Sequence, residues 1–488
     1  MTAFDPAPKP ASRAAALAAA LMLSACASGP DLPKPGPIVS RHYDEGAERR
    51  LAAAPGPGAA PAIVLGASAS RDWWRAFRSP KLDAVIARAL AGNHDLAAAD
   101  AALRRARDLV AVARGGLRPQ LDLGADAGGA RSAQGAAAAG TFYAVGPRVS
   151  FDPDLFGGLR SGVKAQDALA DLEAHRTQAA YLTLTGDVAA TALQLASARA
   201  QIEAVQALLI DDRRTVDLVR AGHAHGGATQ ADMAQAESQL AQDETLLPPL
   251  EQQRDAARHA LSVLAGEGPA DWTAPDFDLD DFDLPAALPV SLPSDLARGR
   301  PDIQAADDRL RAAAADVGVA AADLYPRLQL SASVVGAGPG ALWSLAAGLA
   351  GPISHGGSLK ANRRAAVDGY DAALASYRQT VVRALGQVAD LLQAIDHDGA
   401  EHAAQAHALA AAQASLDLDR QAYRAGEVDL LRVLDAERAR QRALLGEIRA
   451  RAAQRLDAIQ LGVALGGDTG DVLARRAAAA RLSWEQTR

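Results

Sequence analysis

Cysteine occurs once in the chain, at position 26 of 488. A lone thiol cannot form an intramolecular disulfide or the paired-cysteine spacing of a structural zinc site. Aromatic residues make up only 4% of the chain and methionine occurs three times, which excludes a thick globular core of bulky side chains. The apolar run Ala14 to Leu23 is too short to cross a membrane as a helix. Net charge is -8, and no basic run is interleaved with aromatics, so nucleic acid is not an expected partner. A nucleotide-binding glycine loop, a zinc-hydrolase helix and a nucleophile elbow are all missing. The chain is therefore not expected to be an enzyme, nor to hold a cofactor or a metal.

What is abundant is alanine, which has the highest helix propensity and little bulk. Long helices packed closely over a thin seam are expected. At the start, Lys9 and Arg13 precede the apolar run, and residues 1–25 read as a signal peptide. Its end, Leu23-Ser24-Ala25-Cys26, resembles a bacterial lipobox. That resemblance implies that Cys26 becomes the first mature residue and carries a covalent lipid. Ala27, in place of an aspartate, resembles outer-membrane sorting. Residues 26–70 then read as a lipidated N-terminal tether, rich in proline, glycine and alanine from Gly29 to about Pro61.

In Arg300-Pro301-Asp302-Ile303, proline at a first helical position loses no hydrogen bond and the acid favours the positive helix end. A helix is predicted to begin there. Ile303, Leu310, Ala313, Val317 and Leu324 carry it to Pro326, after which alternating Leu328, Leu330, Ala332 and Val334 read as a strand. The same handover occurs upstream. A helix from Lys81 runs through Leu96, Leu103 and Val112 to Gly115, and Leu121, Leu123 and Ala125 then alternate. Each half is expected to hold two strands: Leu117 to Ala127 with Thr141 to Phe151, and Leu328 to Val335 with Leu342 to Leu349. Trp73-Trp74, with Phe77 and Leu82, reads as a packed anchor opening the folded part.

Val188, Leu195, Ile202, Leu209 and Val216 are spaced by seven, a coiled-coil seam. Leu374, Val381, Val388, Ile395, His402, Leu409, Leu416 and Tyr423 repeat it at an offset of about 200 residues, so a tandem duplication is inferred. Gly266 matches Gly466 at that offset, and Gly157-Gly158 matches Gly356-Gly357 with one residue of slip. Each half is expected to have one helix of about 65 residues, roughly 100 Å long, flanked by shorter ones. Of these, 228–265 should kink at Pro248-Pro249, while Pro301 to Leu324 and Val428 to Leu465 serve the second half. The expected organisation is a first repeat over 71–266, a linker over 267–299, a second repeat over 300–467 and a tail over 468–488. Four short strands cannot close a barrel, whereas three copies would supply twelve, and a membrane demands closure.

Arg300-Pro301-Asp302-Ile303, Leu310, Val317-Gly318, Tyr325-Pro326, Gly351-Pro352-Ile353 with Gly356-Gly357, and Tyr423-Arg424-Ala425-Gly426 with Val433-Leu434-Asp435-Ala436-Glu437-Arg438 together resemble one family. It is that of the outer membrane factor lipoproteins of tripartite efflux systems, TolC-like outer membrane efflux proteins of the NodT group. Trp73-Trp74 and Asp154-Leu155-Phe156-Gly157 fit too. Tyr325 stands where phenylalanine is common, and Asp307 and Asp308 where a glutamate is expected. The resemblance implies an α+β membrane protein, a homotrimeric duct with a 12-stranded outer-membrane β-barrel, four strands per chain, continuous with a long periplasmic α-helical barrel. Residues 268–293 and the tail after Gly467 would contribute to an equatorial belt. The implied function is that of a passive exit duct for drugs or other small toxic compounds. Its implied partners are outer-membrane lipid, a periplasmic adaptor (membrane fusion) protein and an inner-membrane RND transporter.

The resemblance also implies a closed periplasmic aperture near the turns Arg220-Ala221-Gly222 and Arg424-Ala425-Gly426, where each glycine is expected to end a helix. Leu431 and Asp435, one helical turn apart, would ring that aperture as its gate. Three Asp435 carboxylates on a threefold axis would repel anions and attract cations. Without the resemblance, Asp435 reads as a solvated helix residue paired with Arg432 or Arg438. His223 and His225 form a metal-like pair without a third ligand and read as a solvated loop. The acidic run Asp276 to Asp283 reads as belt surface. Two other functions share these features: the exit duct of a type I protein-secretion system, and a lipid-anchored periplasmic coiled-coil scaffold. The scaffold would leave the strands without a purpose.

Overall fold

The computed structural model describes residues 61–67, 70–130, 140–337 and 340–466, together with Leu32, Gly36, His42 and Tyr43. The signal peptide, Cys26 and the tail 468–488 lie outside the described residues. In chain order the elements are β1 (Ala62–Leu65), a 3-10 turn (Trp73–Phe77), α1 (Pro80–Gly92), α2 (His94–Gly115), β2 (Gln120–Ala130), β3 (Gly140–Phe151), and the 67-residue α3 (Gly158–Ala224). α4 (Gln230–Glu244), α5 (Leu247–Leu264), β4 (Ala287–Val290), α6 (Pro293–Gly299) and α7 (Pro301–Ala322) follow. β5 (Arg327–Ala337), β6 (Gly340–Ala350), the 68-residue α8 (Ser358–Ala425) and α9 (Leu430–Ala464) complete the chain.

Two compact units emerge. One draws on residues 101–174 and 305–380, and holds an antiparallel sheet in the order β2-β3-β5-β6. Its strands run 11 or 12 residues: β2 has the expected length but lies three residues later and β3 gains one, while β5 and β6 are each three residues longer than expected, because they continue into glycine- and alanine-rich ends that carry little hydrophobic signal. Below the sheet Leu310, Val317, Tyr370 and Leu374 form a small core. Phe156 stacks on Tyr325 with ring centroids 4.8 Å apart.

The other unit, residues 61–100, 175–304 and 381–466, holds the main core. Trp73, Trp74 and Phe77 are buried there, with Trp73 edge-on to Trp74 at 6.1 Å and lying where a side chain on Gly462 would stand. The tryptophan pair is thus a packed anchor. All five residues of the first heptad seam are buried. In the second seam Leu374, Val381, Val388, Ile395 and Leu416 are buried, His402 and Leu409 are half-buried, and Tyr423 is exposed.

Several expectations change. The helix expected from Lys81 to Gly115 is two helices, broken at Asn93, whose extended backbone ends α1. Its Oδ1 accepts from Leu96 N at 2.9 Å and its Nδ2 donates to the Leu264 carbonyl at 3.0 Å, so the amide caps one helix while fastening another. The helix expected over 228–265 is likewise two. Its break lies at Thr245-Leu246, and Pro248-Pro249 sit in the first turn of α5, where no intrahelical donor is needed. The tether is fastened in its described parts: β1 pairs in parallel with β4, and Tyr43 Oη donates to the Ser291 carbonyl at 2.7 Å. The apolar run Ile63-Val64-Leu65 was the signal for that strand. Left-handed Gly157 and Gly357 precede the two long helices and match at the repeat offset without slip.

The Arg300 motif is a joint. Pro301 opens α7, while the Arg300 guanidinium donates to Asp302 at 2.8 and 3.0 Å, to Gln387 Oε1 at 3.1 Å and to the Ala464 carbonyl at 2.7 Å. One planar donor fork thus ties the start of α7 to α8 and to the end of α9.

Candidate functional site

The sheet sorts its side chains by chemistry. Register places Leu121 opposite Val149, Val149 opposite Ala332, and Ala332 opposite Leu345. The neighbouring row on the same face contains Leu123 with Pro147, and Val334 with Trp343. On the other face Asp122 pairs with Arg148, Arg148 with Ser333, and Ser333 with Ser344, whose hydroxyls lie 2.9 Å apart. Arg148 also forms an ion pair with Asp126. Leu123, Trp343 and Leu345 are 78%, 80% and 77% exposed, so a broad apolar face stands open in the single chain. Water disfavours such a face, and a bilayer accepts it. Among the described residues β2 and β6 are edge strands, each paired along one side only.

The two hairpin turns repeat one backbone device. At the second, Gly426 adopts φ 79°, its N–H bonds the Tyr423 carbonyl at 3.0 Å and the Glu427 N–H bonds that of Ala422 at 2.9 Å. This is the paired closure of a left-handed helix cap. At the first, the left-handed residue is Gly226, with φ 77°, and the two bonds run to His223 at 3.0 Å and Gly222 at 2.8 Å. Gly222, expected to end the helix, lies inside its last turn. The signal was the match of Gly226 to Gly426 at the repeat offset. His223 and His225 each turn Nδ1 to a backbone carbonyl, of Ala228 at 3.0 Å and Ala221 at 2.8 Å.

After the second turn, Asp429 caps α9 by accepting from Arg432 N at 3.1 Å. Val433, Leu434, Ala436 and Glu437 are buried, which leaves Leu431 and Asp435 together on the exposed face of the first turns. Arg438 Nη1 lies 3.3 Å from Asp435 Oδ1, and Arg432 instead pairs with Asp419 at 2.9 Å. Within one chain, Asp435 is therefore an exposed carboxylate held by the residue one turn on.

Behind it lies a cluster that sequence reading missed. Asp212 of α3, Asp243 of α4 and Glu437 of α9 are buried, with Asp212 in electrostatic reach of the other two. Burial, then Asp243 and Glu437, push the Asp212 carboxyl up to about 7. The signal was an aspartate at a seam position, spaced by seven from buried Val205 and Val219.

The acidic run at 276–283 also proves to be more than surface. Phe277 and Phe282 are fully buried, while Asp276 pairs with Arg258, Asp278 with Arg199 at 3.2 Å, Asp280 with Arg451 and Asp281 with Lys81 at 2.7 Å. The loop is a clasp whose aromatics enter the core while its acids hold cations on α1, α3, α5 and α9.

Comparison with known proteins decides the family. The outer membrane efflux protein family matches residues 85–267 and 292–467. The chain belongs to it. This outer membrane efflux protein is 32% identical over 470 residues to the pyoverdine export outer membrane protein OpmQ of Pseudomonas aeruginosa, covering 92% of this chain and 96% of that one. It is 30% identical over 476 residues to the toluene efflux pump outer membrane protein TtgF of Pseudomonas putida, with the same coverage. In structure it is similar to the outer-membrane channel OprN, with a TM-score of 0.81, 28% identity, and 91% and 99% of the two chains covered. Its fold is that of TolC-like outer-membrane channels built from tandem repeats, and it is the outer-membrane component of an efflux system. The family is one of channels and export ducts.

Proposed function

We propose that three copies of this chain close their sheets into one twelve-stranded barrel and serve as the passive exit duct of a tripartite pump. The observation that carries this reading is the sheet: an apolar face, a polar face and two unpaired edges. Unpaired edges are intolerable in hydrocarbon, and pairing β6 of one copy with β2 of the next removes every edge. The apolar row then meets lipid, and Asp122, Asp126 and Arg148 face water in the lumen. A lipid-anchored scaffold has no use for such a sheet. By analogy with the relatives' names, the exported compounds are small toxic organic molecules, or small molecules made by the cell. A periplasmic adaptor and an inner-membrane RND transporter would supply recognition and energy. Cys26 carries the lipid in this reading, on the strength of its sequence context.

Leu431 and Asp435 are proposed as the periplasmic gate. Both are exposed within one chain, so three copies about an axis can present an apolar ring and a carboxylate ring. The test is bilayer conductance of the purified protein beside Asp435→Ala. The wild type should pass a small, mostly closed current and the variant a larger one. Equal open currents would reject Asp435, and silence from both, with insertion verified, would overturn the duct.

A further inference from the structure

The chain's helical hairpins meet at a buried group of acids that no packing role explains. Asp212, Asp243 and Glu437 expose 3%, 7% and 8% of their surfaces. Asp212 Oδ2, Glu437 Oε2 and Gln441 Nε2 are buried without a hydrogen-bond partner among the described residues. Two ionised carboxylates buried side by side repel, so the Asp212 carboxyl keeps its proton in the packed state.

The pair is wired to the exposed face of α9. Gln239 Nε2 donates to Asp243 Oδ2 at 2.5 Å, Arg438 Nε donates to Gln239 Oε1, and Arg438 Nη1 reaches Asp435. Other charged groups surround it from each packed element. On α3, Asp211 lies 3.9 Å from Arg420. On α4, Glu244 pairs with Arg213 at 3.3 Å. On α8, Arg420 donates to Glu437 at 2.9 Å and Asp419 pairs with Arg432. Of the cations here, Arg213, Arg420 and Arg432 are each engaged by another carboxylate, Arg438 by Gln239 and Arg440 by Gln413.

We propose that Asp212, buried against Asp243 and Glu437, is a proton-operated latch: its proton holds α3, α4 and α9 packed, and its loss to water frees Arg438 from Gln239 and loosens the aperture at Asp435. The proposal rests on the gate reading of Asp435. Its sign follows from the pair. The Asp212 carboxyl is held near 7 when packed and returns toward 3.8 when solvated. Between those values the packed state binds a proton that the loosened state releases, so rising pH favours loosening. From pH 6 to pH 8 the equilibrium moves about tenfold toward the loose state.

The test is hydrogen exchange of the full-length protein in lipid nanodiscs at pH 6 and pH 8, corrected for intrinsic rates. Amides of 205–219, 236–246 and 433–441 should open about tenfold more at pH 8 in the wild type. Asp212→Asn and Asp243→Asn, both neutral and able to hydrogen-bond, should show no such step. A step of the same size in both variants, or none in the wild type, overturns the latch. Bilayer currents over the same pH range separate the latch from the gate. A wild-type rise abolished in both variants supports the coupling. Flat wild-type currents beside an Asp435→Ala variant that conducts overturn the coupling and keep the gate. If Asp435→Ala is also silent, the gate fails, and the exchange step alone decides the packing half.

Discussion

The two repeats solve one packing problem with different chemistry. In the first, Gly92 and Gly266 bring the end of α1 against the end of α5 so closely that a Cβ on Gly266 would stand 2.1 Å from the Gly92 carbonyl oxygen. Asn93 then fastens the Leu264 carbonyl. In the second, Gly466 leaves 3.3 Å to the nearest atom of Arg300, and the longer guanidinium spans the wider joint to the Ala464 carbonyl. Leu264 and Ala464 are equivalent positions of the two repeats and play the same part. Midway along the hairpins the contrast recurs. Ile202, Val205 and Leu250 make an apolar cluster, whereas His402, Gln405 and Ala450 hold the matching positions. His402 lies 3.1 Å from Gln454 and 3.3 Å from Glu447. Ala198 and Ala257 of the first repeat correspond to Asp398 and Asp457 of the second. Duplication fixes backbone geometry, and each copy then satisfies it with its own side chains.

The tight joint should break most severely. Gly266→Ala adds a clash to a left-handed backbone at φ 80° and should cost about 3 kcal/mol or more. Gly466→Ala, equally left-handed but roomier, should cost roughly 1–2 kcal/mol. Denaturant midpoints of the two variants give the order directly, and equal losses would deny the difference between the joints. Next, Arg300→Ala strands the Ala464 carbonyl and cuts the tie to Gln387 and should cost about 2–4 kcal/mol, against roughly 1–2 for Asn93→Ala. Arg300→Lys should recover little, because an ammonium cannot span three acceptors in one plane.

The polar half of the comparison is sharpened by pH. Burial, then Asp398, push the Asp457 carboxyl up to about 7. Between about 4 and 7 the folded protein keeps a proton that the unfolded chain has lost, so stability falls as pH rises through this window and the full penalty stands above it. Asp457→Asn should therefore stabilise the protein by up to about 4 kcal/mol at pH 8 and make little difference at pH 4. Parallel melting curves at the two pH values test this, and a constant offset would refute it. The smallest effects belong to the turns. Gly226→Ala and Gly426→Ala should each cost about 1 kcal/mol, while Gly222→Ala, already helical, should be neutral or slightly stabilising.

The sequence was most legible where one face of a long element is buried. The seam from Val188 to Val216, the helix start at Pro301 and both long helices follow from periodicity over many turns, because burial repeats every seventh residue. The strands were legible in number and place, and the first pair nearly in length, but β5 and β6 each run three residues longer than expected, since neither face is buried within one chain and small residues at their ends carry no alternation. β1 was hidden in a proline-rich segment because its short run gains its hydrogen bonds from β4, which lies in the linker between the repeats. The break at Asn93 was missed because a high density of alanine reads as helix throughout, and the competing contact, Leu264, is remote. At the candidate site, the exposure of Leu431 and Asp435 follows from helical spacing. The Asp212–Asp243 pair was invisible for another reason: its partners belong to different helices on either side of a hairpin turn, and only packing brings them together.

The free rims of β2 and β6 carry a thermodynamic consequence. A strand of 11 residues with one side unpaired leaves on the order of ten backbone groups unbonded, each costly in hydrocarbon. No single copy can therefore enter a bilayer at equilibrium, and insertion must follow or accompany encounter. The folding of this sheet is then a concentration-dependent reaction, governed by mass action, and dilution would act on it as a denaturant does on an ordinary domain.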